Sequence, residues 1–551
     1  MKKLLTTLLV LTLALGMLAP VAALAEAAEA PAGGTITAEP FAERVSITVP
    51  VYDRSKEGYP AVDNNYWTQW IQKEFGETYN VDVQYVAIPR GDVMTKYSLL
   101  IAAGDTPTIM MEYDYPKVAQ WASDGAMQVI DLDEFAKVAP TYYQAMVDNN
   151  QLGYTDINGE TYFVLTERPY YNTTFAYVTM YRQDWLDALG LPAPTNYEEY
   201  SAAVKAVKEK YAEVPLGLGI PKSAYVANFA YRDFPVDEAE WAMHSSLGTP
   251  SFSWYPTYKL LKRQNAEYNM GFYSTEYELD QAEMAGTGGA SQHQTDFING
   301  DCFSYGGYIS ANMAWLNAFF EKNPDAKLGV LDPAYVVEPG FVEIPQFRAD
   351  NPFGMIVGFS SVATPDQLKA AWMFLEWMAQ PETLAVMENG VEGVTFEYGE
   401  DGLPVVNGDY RGPEMLNHNN NIDMTCCVHA SKKLGTIEQT IAAMAPQGLP
   451  QDFTQDLIDN YYKLKESADN GWAYSDPVFA VAIDSESEYN ATLMSLYQEY
   501  SVQLTKCAPE AFDDLYAELS QKYLDAGYQE IIDERLAAYE AGSTTKLPVA
   551  E

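Results

Sequence analysis

The chain has 551 residues, with 77 Asp and Glu against 33 Lys and Arg, a formal charge of −44. Such an acidic excess excludes a nucleic-acid-binding face, which needs a basic stripe, and argues against close contact with anionic lipid. With 48% hydrophobic residues and 41 Tyr, the chain can fill the cores of roughly two to four domains and is not a disordered one.

Lys2 and Lys3, the apolar run Leu4 to Leu18 and the Ala23-Leu24-Ala25 site read as a secretion signal over 1–25, removed to leave Glu26 first. Its loss takes the formal charge to −46. The run is short for a membrane anchor, and no later run approaches about 18 consecutive apolar residues. Residues 26–40, rich in Ala, Gly, Thr and Pro, read as a flexible leader. Alternation predicts a strand over Arg44–Val51, followed by the loop Tyr52-Asp53-Arg54. A helix over Asn65–Phe75 ends at Gly76, and Val81–Ala87 reads as the next strand. The helix Thr95–Ala103 stops at Gly104-Asp105. The strand Thr108–Met111 then runs into Glu112-Tyr113-Asp114-Tyr115, and the next helix carries Trp121. Asp131, Asp133 and Glu134 fit helix capping better than metal ligation.

The stretch Gly159–Tyr200 organises the chain. A strand over Glu160–Leu165 gives way to a polar-aromatic segment, Thr166–Thr174, in which Pro169 forbids helix. A second strand, Phe175–Tyr181, feeds the helix Gln183–Leu189, closed by Gly190. Thr195 with Glu198 forms a capping box for a helix to about Lys210. A strand that crosses a polar gap into another unit has the form of a hinge, although an ordinary sheet-to-helix connection has the same local pattern. Beyond it a loop-rich region carries Tyr225, Tyr231, Trp241, Trp254 and Tyr255. Further strands are expected at Asp301–Tyr305, Leu328–Leu331 and Phe353–Ala363, with a helix at Ser310–Phe320. Thr364 and Gln367 start a helix whose apolar stripe is Leu368, Trp372, Leu375 and Ala379. Pro381 opens another that Asn389-Gly390 closes, and the rest to about Glu540 is mainly helical, with Phe512, Leu515, Leu519 and Tyr523 on one face.

Cys302, Cys426, Cys427 and Cys507 permit three pairings, between which sequence does not choose. The chain has four His and no H-E-x-x-H, G-x-S-x-G or phosphate-loop motif. No cofactor or metal is expected.

Several stretches taken together carry a family likeness: IAAGDTPTIM from Ile101, WASDGAMQVIDLDEF from Trp121, GETYFVLTERP from Gly159 and MYRQDWLDALGLPAPTNYEEY from Met180. DFINGDCFSYGG from Asp296, AAWMFLEWMAQPETLAVMENGVEG from Ala370 and YLDAGYQEIIDERLAAY from Tyr523 complete the order. The mature chain resembles the extracellular solute-binding proteins of ABC importers, most of all the large oligosaccharide-type members. The resemblance implies an α/β fold of two lobes in the manner of periplasmic binding proteins, with hinge crossings and a helical C-terminal extension. It places crossings near Phe163–Arg168, Gly300–Cys302 and Val357–Val362. The N-lobe is then 41–165 and 301–357, and the C-lobe 166–300 and 358–551. Two departures stand out. No Cys precedes Cys302, so the lipid-anchor Cys of many Gram-positive members is not expected. The calcium loop of the alginate-type members is missing from VKEKYAEVPLGLGI, and Asp156-Ile157-Asn158-Gly159-Glu160 reads as a tight turn before a strand.

The resemblance implies an exported, monomeric receptor that captures an oligosaccharide and delivers it to a membrane permease. Sugars present apolar ring faces and a belt of hydroxyls, which aromatic platforms and planar polar side chains match. Candidate ligand residues on the N-lobe are Tyr52, Asp53, Tyr113, Asp114, Tyr115, Tyr305 and Tyr308. At the crossings they are Arg168, Tyr170, Tyr171 and Phe359, and on the C-lobe Tyr231, Arg232, Trp254, Tyr255 and Glu392. A peptide- or cationic-solute receptor of the same fold and a secreted glycoside hydrolase, which needs two spaced carboxylates, are the alternatives.

Overall fold

The computed structural model describes residues 29–55, 58–167, 177–211, 237–245, 249–273, 275, 277–278, 292–308, 315–331, 347–348, 351–400, 402–407, 410–417, 421–429, 439, 449–469 and 473–545. The signal segment and the candidates Arg168, Tyr170, Tyr171, Tyr231 and Arg232 lie outside them. In chain order the main strands are β1 (Val45–Asp53), β2 (Val81–Pro89), β3 (Ile109–Glu112), β4 (Phe163–Leu165), β5 (Tyr177–Arg182), β6 (Ser304–Tyr308), β7 (Leu328–Val330) and β8 (Ile356–Phe359).

β1 and β2 pair in parallel from Val45↔Val81 to Asp53↔Pro89. β8 runs antiparallel between β3 and β4, with Ile356 opposite both Glu112 and Leu165. β1 lies beside β3, where Thr48 and Thr108 exchange bonds: each amide donates to the other's Oγ1, at 3.0 and 2.7 Å. The ladder β2-β1 thus lies beside the ladder β3-β8-β4, and together they form the first sheet layer. Its central strands are buried nearly throughout, as expected of a sheet covered on both faces. In the second sheet β5 is central, antiparallel to both β6 and β7, with Met180 opposite Tyr305 and Val330.

Each sheet has its own core. Around the first pack Trp67, Phe75, Phe163, Phe374 and Trp377. Around the second pack Trp185, Leu186, Phe303, Phe319 and Leu457. A third core, among the helices Tyr255–Asn269, Asp484–Lys506, Phe512–Tyr523 and Gln529–Glu540, holds Phe252, Leu493, Tyr523 and Ile531. Inside it Arg535, fully buried, donates to Glu486 Oε1 at 2.7 Å from Nε and to the Met243 carbonyl at 2.9 Å.

The pairings change the expected lobe boundaries. Residues 301–331, placed with the first lobe by the sequence, supply β6 and β7 to the second sheet. Phe359 and the helix Pro365–Met378, placed with the second lobe, belong to the first core. The chain leaves the first sheet after Leu165 and enters the second at Tyr177. The return lies between Leu331 and Met355 rather than at Gly300–Cys302 or Val357–Val362. Sequence separation hid this: β8 pairs with strands about 190 and about 250 residues earlier, and short apolar strands carry no mark of their partner.

Local expectations fared better. Thr364 and Gln367 make the capping box, Asp131 caps the helix Leu132–Val138, and Gly190 closes Gln183–Leu189 in the left-handed region. Asn158 and Gly159, both at positive φ, form the two-residue turn of a hairpin in which Asp156 faces Thr161. The cap at the Tyr197–Lys210 helix is Asn196 rather than Thr195, and Glu199 binds the Thr195 amide and hydroxyl at 2.9 Å. The helix Pro365–Met378 is buried from Ala370 through Met378 and not only along a stripe, because neighbours cover every side. One of those neighbours is the expected leader. Gly34 N donates to Thr383 Oγ1 at 2.9 Å, and a Cβ on Gly33 would stand 2.7 Å from the Trp377 ring, so small residues let this segment dock rather than wander. Between Gly390 and Pro450 the described residues form a hairpin (Phe396–Tyr398 with Pro404–Val406) and a 3-10 helix, Ile422–Cys427, not long helix.

Candidate functional site

Parallel strands direct their carboxyl ends to one edge of the sheet, where loops rather than helices take over. The chain turns there at Tyr52-Asp53-Arg54 after β1, Pro89-Arg90 after β2 and Glu112-Tyr113-Asp114 after β3. The Tyr52 and Tyr113 rings stack at 6.5 Å with 21° between planes. The Arg90 guanidinium lies over the Tyr52 ring, 4.8 Å from its centre, and the Arg90 amide donates to the Asp53 carbonyl at 2.8 Å. Tyr52 donates its hydroxyl to Glu112 Oε2 at 3.0 Å, while Glu112 Oε1 accepts the Tyr113 amide at 2.7 Å. Burial pushes the Glu112 carboxyl up, against the pull of Arg90 and of its hydrogen bonds.

Two residues arrive from far along the chain. Asp423 of the Ile422–Cys427 helix accepts Arg54 Nε at 2.9 Å and Nη2 at 3.1 Å, a bidentate fork. The Tyr113 hydroxyl donates to Cys426 Sγ at 3.6 Å. Burial pushes the Cys426 thiol up to about 12, so it is no thiolate nucleophile at neutral pH. None of the four cysteines is in a disulfide. Asp114 caps the helix Tyr115–Ser123, accepting the Lys117 amide at 3.2 Å, and burial raises its pKa to about 6, with Glu112 and Glu486 adding to the shift.

Of the expected ligand residues, Tyr52, Asp53, Tyr113 and Asp114 come together here, Tyr52 buried as part of the first core and the other three half-buried at its edge. Tyr115 stands behind them, packed on Phe163 and Phe353 with its hydroxyl donating to the Tyr154 carbonyl. Tyr305 packs on Phe297 and Trp315 at the edge of the second core, and Tyr308 ends β6 opposite Tyr177. Four others are elsewhere. Phe359 is fully buried against Trp372 inside the first core. Trp254 is buried in the third, stacked on His244 at 5.5 Å. Tyr255, 43% exposed, stacks on Tyr258 at the start of its helix, and Glu392 sits in the exposed turn after Asn389. A loop-rich aromatic stretch looks the same in sequence whether it lines a site or seals a helix seam.

Sequence reasoning passed over Arg90, Glu112, Arg54, Asp423 and Cys426. Ending β2 at Ala87 left Arg90 outside the strand-end rule that selected Tyr52 and Tyr113. Asp423 and Cys426 carry no local signal, since they join the site across 369 and 313 residues of chain.

A second cluster lies where the chain leaves and re-enters the first sheet. Gln151, fully buried, donates from Nε2 to the Thr166 carbonyl at 3.0 Å and the Pro352 carbonyl at 2.9 Å. Its Oε1 is then the acceptor for His429 Nε2 at 2.9 Å. One side chain thus binds the outgoing segment, the returning segment and His429, two residues beyond the helix Ile422–Cys427.

A family model described as bacterial extracellular solute-binding protein matches residues 61–385, more than half the chain. The chain belongs to this family. The polygalacturonan/rhamnogalacturonan-binding protein YtcQ of Bacillus subtilis (strain 168) is 22% identical to this solute-binding protein over 346 residues. That match takes in 60% of this chain and 64% of the relative, so the chain spans less than two thirds of YtcQ. The alginate-binding protein AlgQ2, solved without calcium ion, superposes with a TM-score of 0.62 at 17% identity, over 91% of this chain and 99% of its own. An HMO-binding, ABC-transporter-associated solute-binding protein of Bifidobacterium longum infantis gives 0.59 at 14% identity, over the same 91% and 99%. These likenesses establish the two-lobe α/β fold. Among the described residues no helix of this solute-binding protein is long and apolar enough to cross a membrane.

Proposed function

We propose that this chain is the exported receptor of an ABC importer, that it captures an oligosaccharide between its lobes, and that it hands the sugar to a membrane permease. The observation that carries this is the strand-end cluster: Tyr52 and Tyr113 stacked, with Asp53, Asp114 and Arg90 beside them. Aromatic faces and planar polar groups together suit a sugar ring and its hydroxyls. Three relatives named for binding polygalacturonan, alginate and HMO support the same class of ligand. The receptor acts as a monomer and does no chemistry on its ligand. Ligand that touches both lobes only when they close shifts the population toward the closed form, and the permease recognises that form.

A thermal-shift screen of the mature protein over neutral and acidic oligosaccharides tests this. A bound sugar at about 100 times its Kd stabilises the native state by about 2.7 kcal/mol, a clear rise in melting temperature. Tyr113→Ala should abolish the rise and leave the unliganded midpoint close to wild type. No rise with any saccharide, or hydrolysis of a bound one, would overturn the proposal.

A further inference from the structure

The charges at the strand-end site are not what the composition leads one to expect. In a chain with 77 acidic side chains and 33 basic ones, a partly buried arginine should find a carboxylate. Arg54 does, in Asp423. Arg90 does not: among the described residues no carboxylate oxygen lies within ion-pair distance of it, and its guanidinium contacts the Tyr52 ring face instead. Glu112 feels its charge, but both Glu112 oxygens are occupied, one by the Tyr113 amide and the other by the Tyr52 hydroxyl. The neighbouring acids are also committed. Asp53 Oδ1 accepts the Ser55 amide at 2.8 Å, Asp423 is held by Arg54, and Asp114 caps a helix. A planar fork of five donors is therefore held over the Tyr52 ring, with no carboxylate acceptor for it among the described residues.

We propose that Arg90 is a specificity-determining residue that pairs with a carboxylate on the ligand, so that the oligosaccharide is an acidic one, built of uronic-acid units. This rests on the receptor function proposed above. The fork geometry of guanidinium favours a planar carboxylate, and the Tyr52 ring at its back fixes its plane. The charge of −44 does not oppose capture, because distant surface charges are screened beyond about 8–10 Å at physiological salt. Within that distance Asp53, Glu112, Asp114 and Asp423 stand against Arg54 and Arg90, so a ligand carboxylate is drawn by the Arg90 fork itself and not by a net positive field.

The test is calorimetric titration of the mature protein with trigalacturonate, trimannuronate, their methyl esters and maltotriose. The esters keep ring shape and hydroxyls and remove only the charge. At least one uronate trimer should bind, with its ester weaker by about tenfold to a hundredfold, the range of a hydrogen-bonded charge pair. Arg90→Gln should erase most of that acid-over-ester ratio, and added salt should weaken the acid and not the ester. Arg90→Lys, which keeps the charge and loses the fork, should give an intermediate ratio and serves if the Gln variant does not fold. Equal binding of acid and ester, binding of maltotriose alone, or a ratio unchanged in both variants would each overturn this inference and leave the receptor function standing. Binding of no saccharide at all would remove both.

Discussion

Gln151→Leu is the sharpest perturbation of how the two sheets are joined. Leucine matches the volume of glutamine and removes three hydrogen bonds, to the Thr166 and Pro352 carbonyls and from His429 Nε2. The Thr166 carbonyl keeps the Gly354 amide, which donates to it at 2.7 Å. The Pro352 carbonyl and the His429 N–H lose the partner that the fully buried Gln151 gave them. An orphaned buried group costs about 1–3 kcal/mol, so the variant should lose roughly 2–5 kcal/mol. Urea unfolding followed by tryptophan fluorescence measures this as a fall in midpoint at similar slope. Gln144→Leu is the control. Among the described residues its amide bonds only Asp148, on an exposed face, so it should change stability by less than about 0.5 kcal/mol. If the Gln151 variant matched that control, the three-way tie between segments would not matter to the folded state.

Two further outcomes follow from the third core. Arg535→Met should cost about 3–5 kcal/mol by stranding buried Glu486, and adding Glu486→Leu should recover most of it; a double variant no better than the single one would refute the pairing. Burial, with Arg535 adding to it, holds the His244 pKa down at about 4, below the usual 6.5. The unfolded chain therefore takes up that proton first, so stability present above pH 6.5 is lost as pH falls toward 4. His244→Gln should flatten that decline by about 1–3 kcal/mol in midpoint-versus-pH data, and an unchanged slope would show that another group causes it.

Punctuation and periodicity in the sequence determined the local elements. Thr364 with Gln367, Asp131, Gly190 and the Asn158-Gly159 turn act through atoms a few residues away, so each was legible without knowing the fold. The likeness to solute-binding proteins was legible too, because the order of many weak motifs survives where no single one is specific. Tertiary structure alone decided which strands pair, where the chain returns to the first sheet, and which aromatic residues reach the site. Trp254 and Tyr113 look alike in sequence, yet one seals a helix seam and the other stacks at a strand end. Arg54 meets Asp423, and Gln151 meets His429, across hundreds of residues. Such partners share no spacing rule, because packing in three dimensions selects them by shape and unmet hydrogen bonds rather than by distance along the chain.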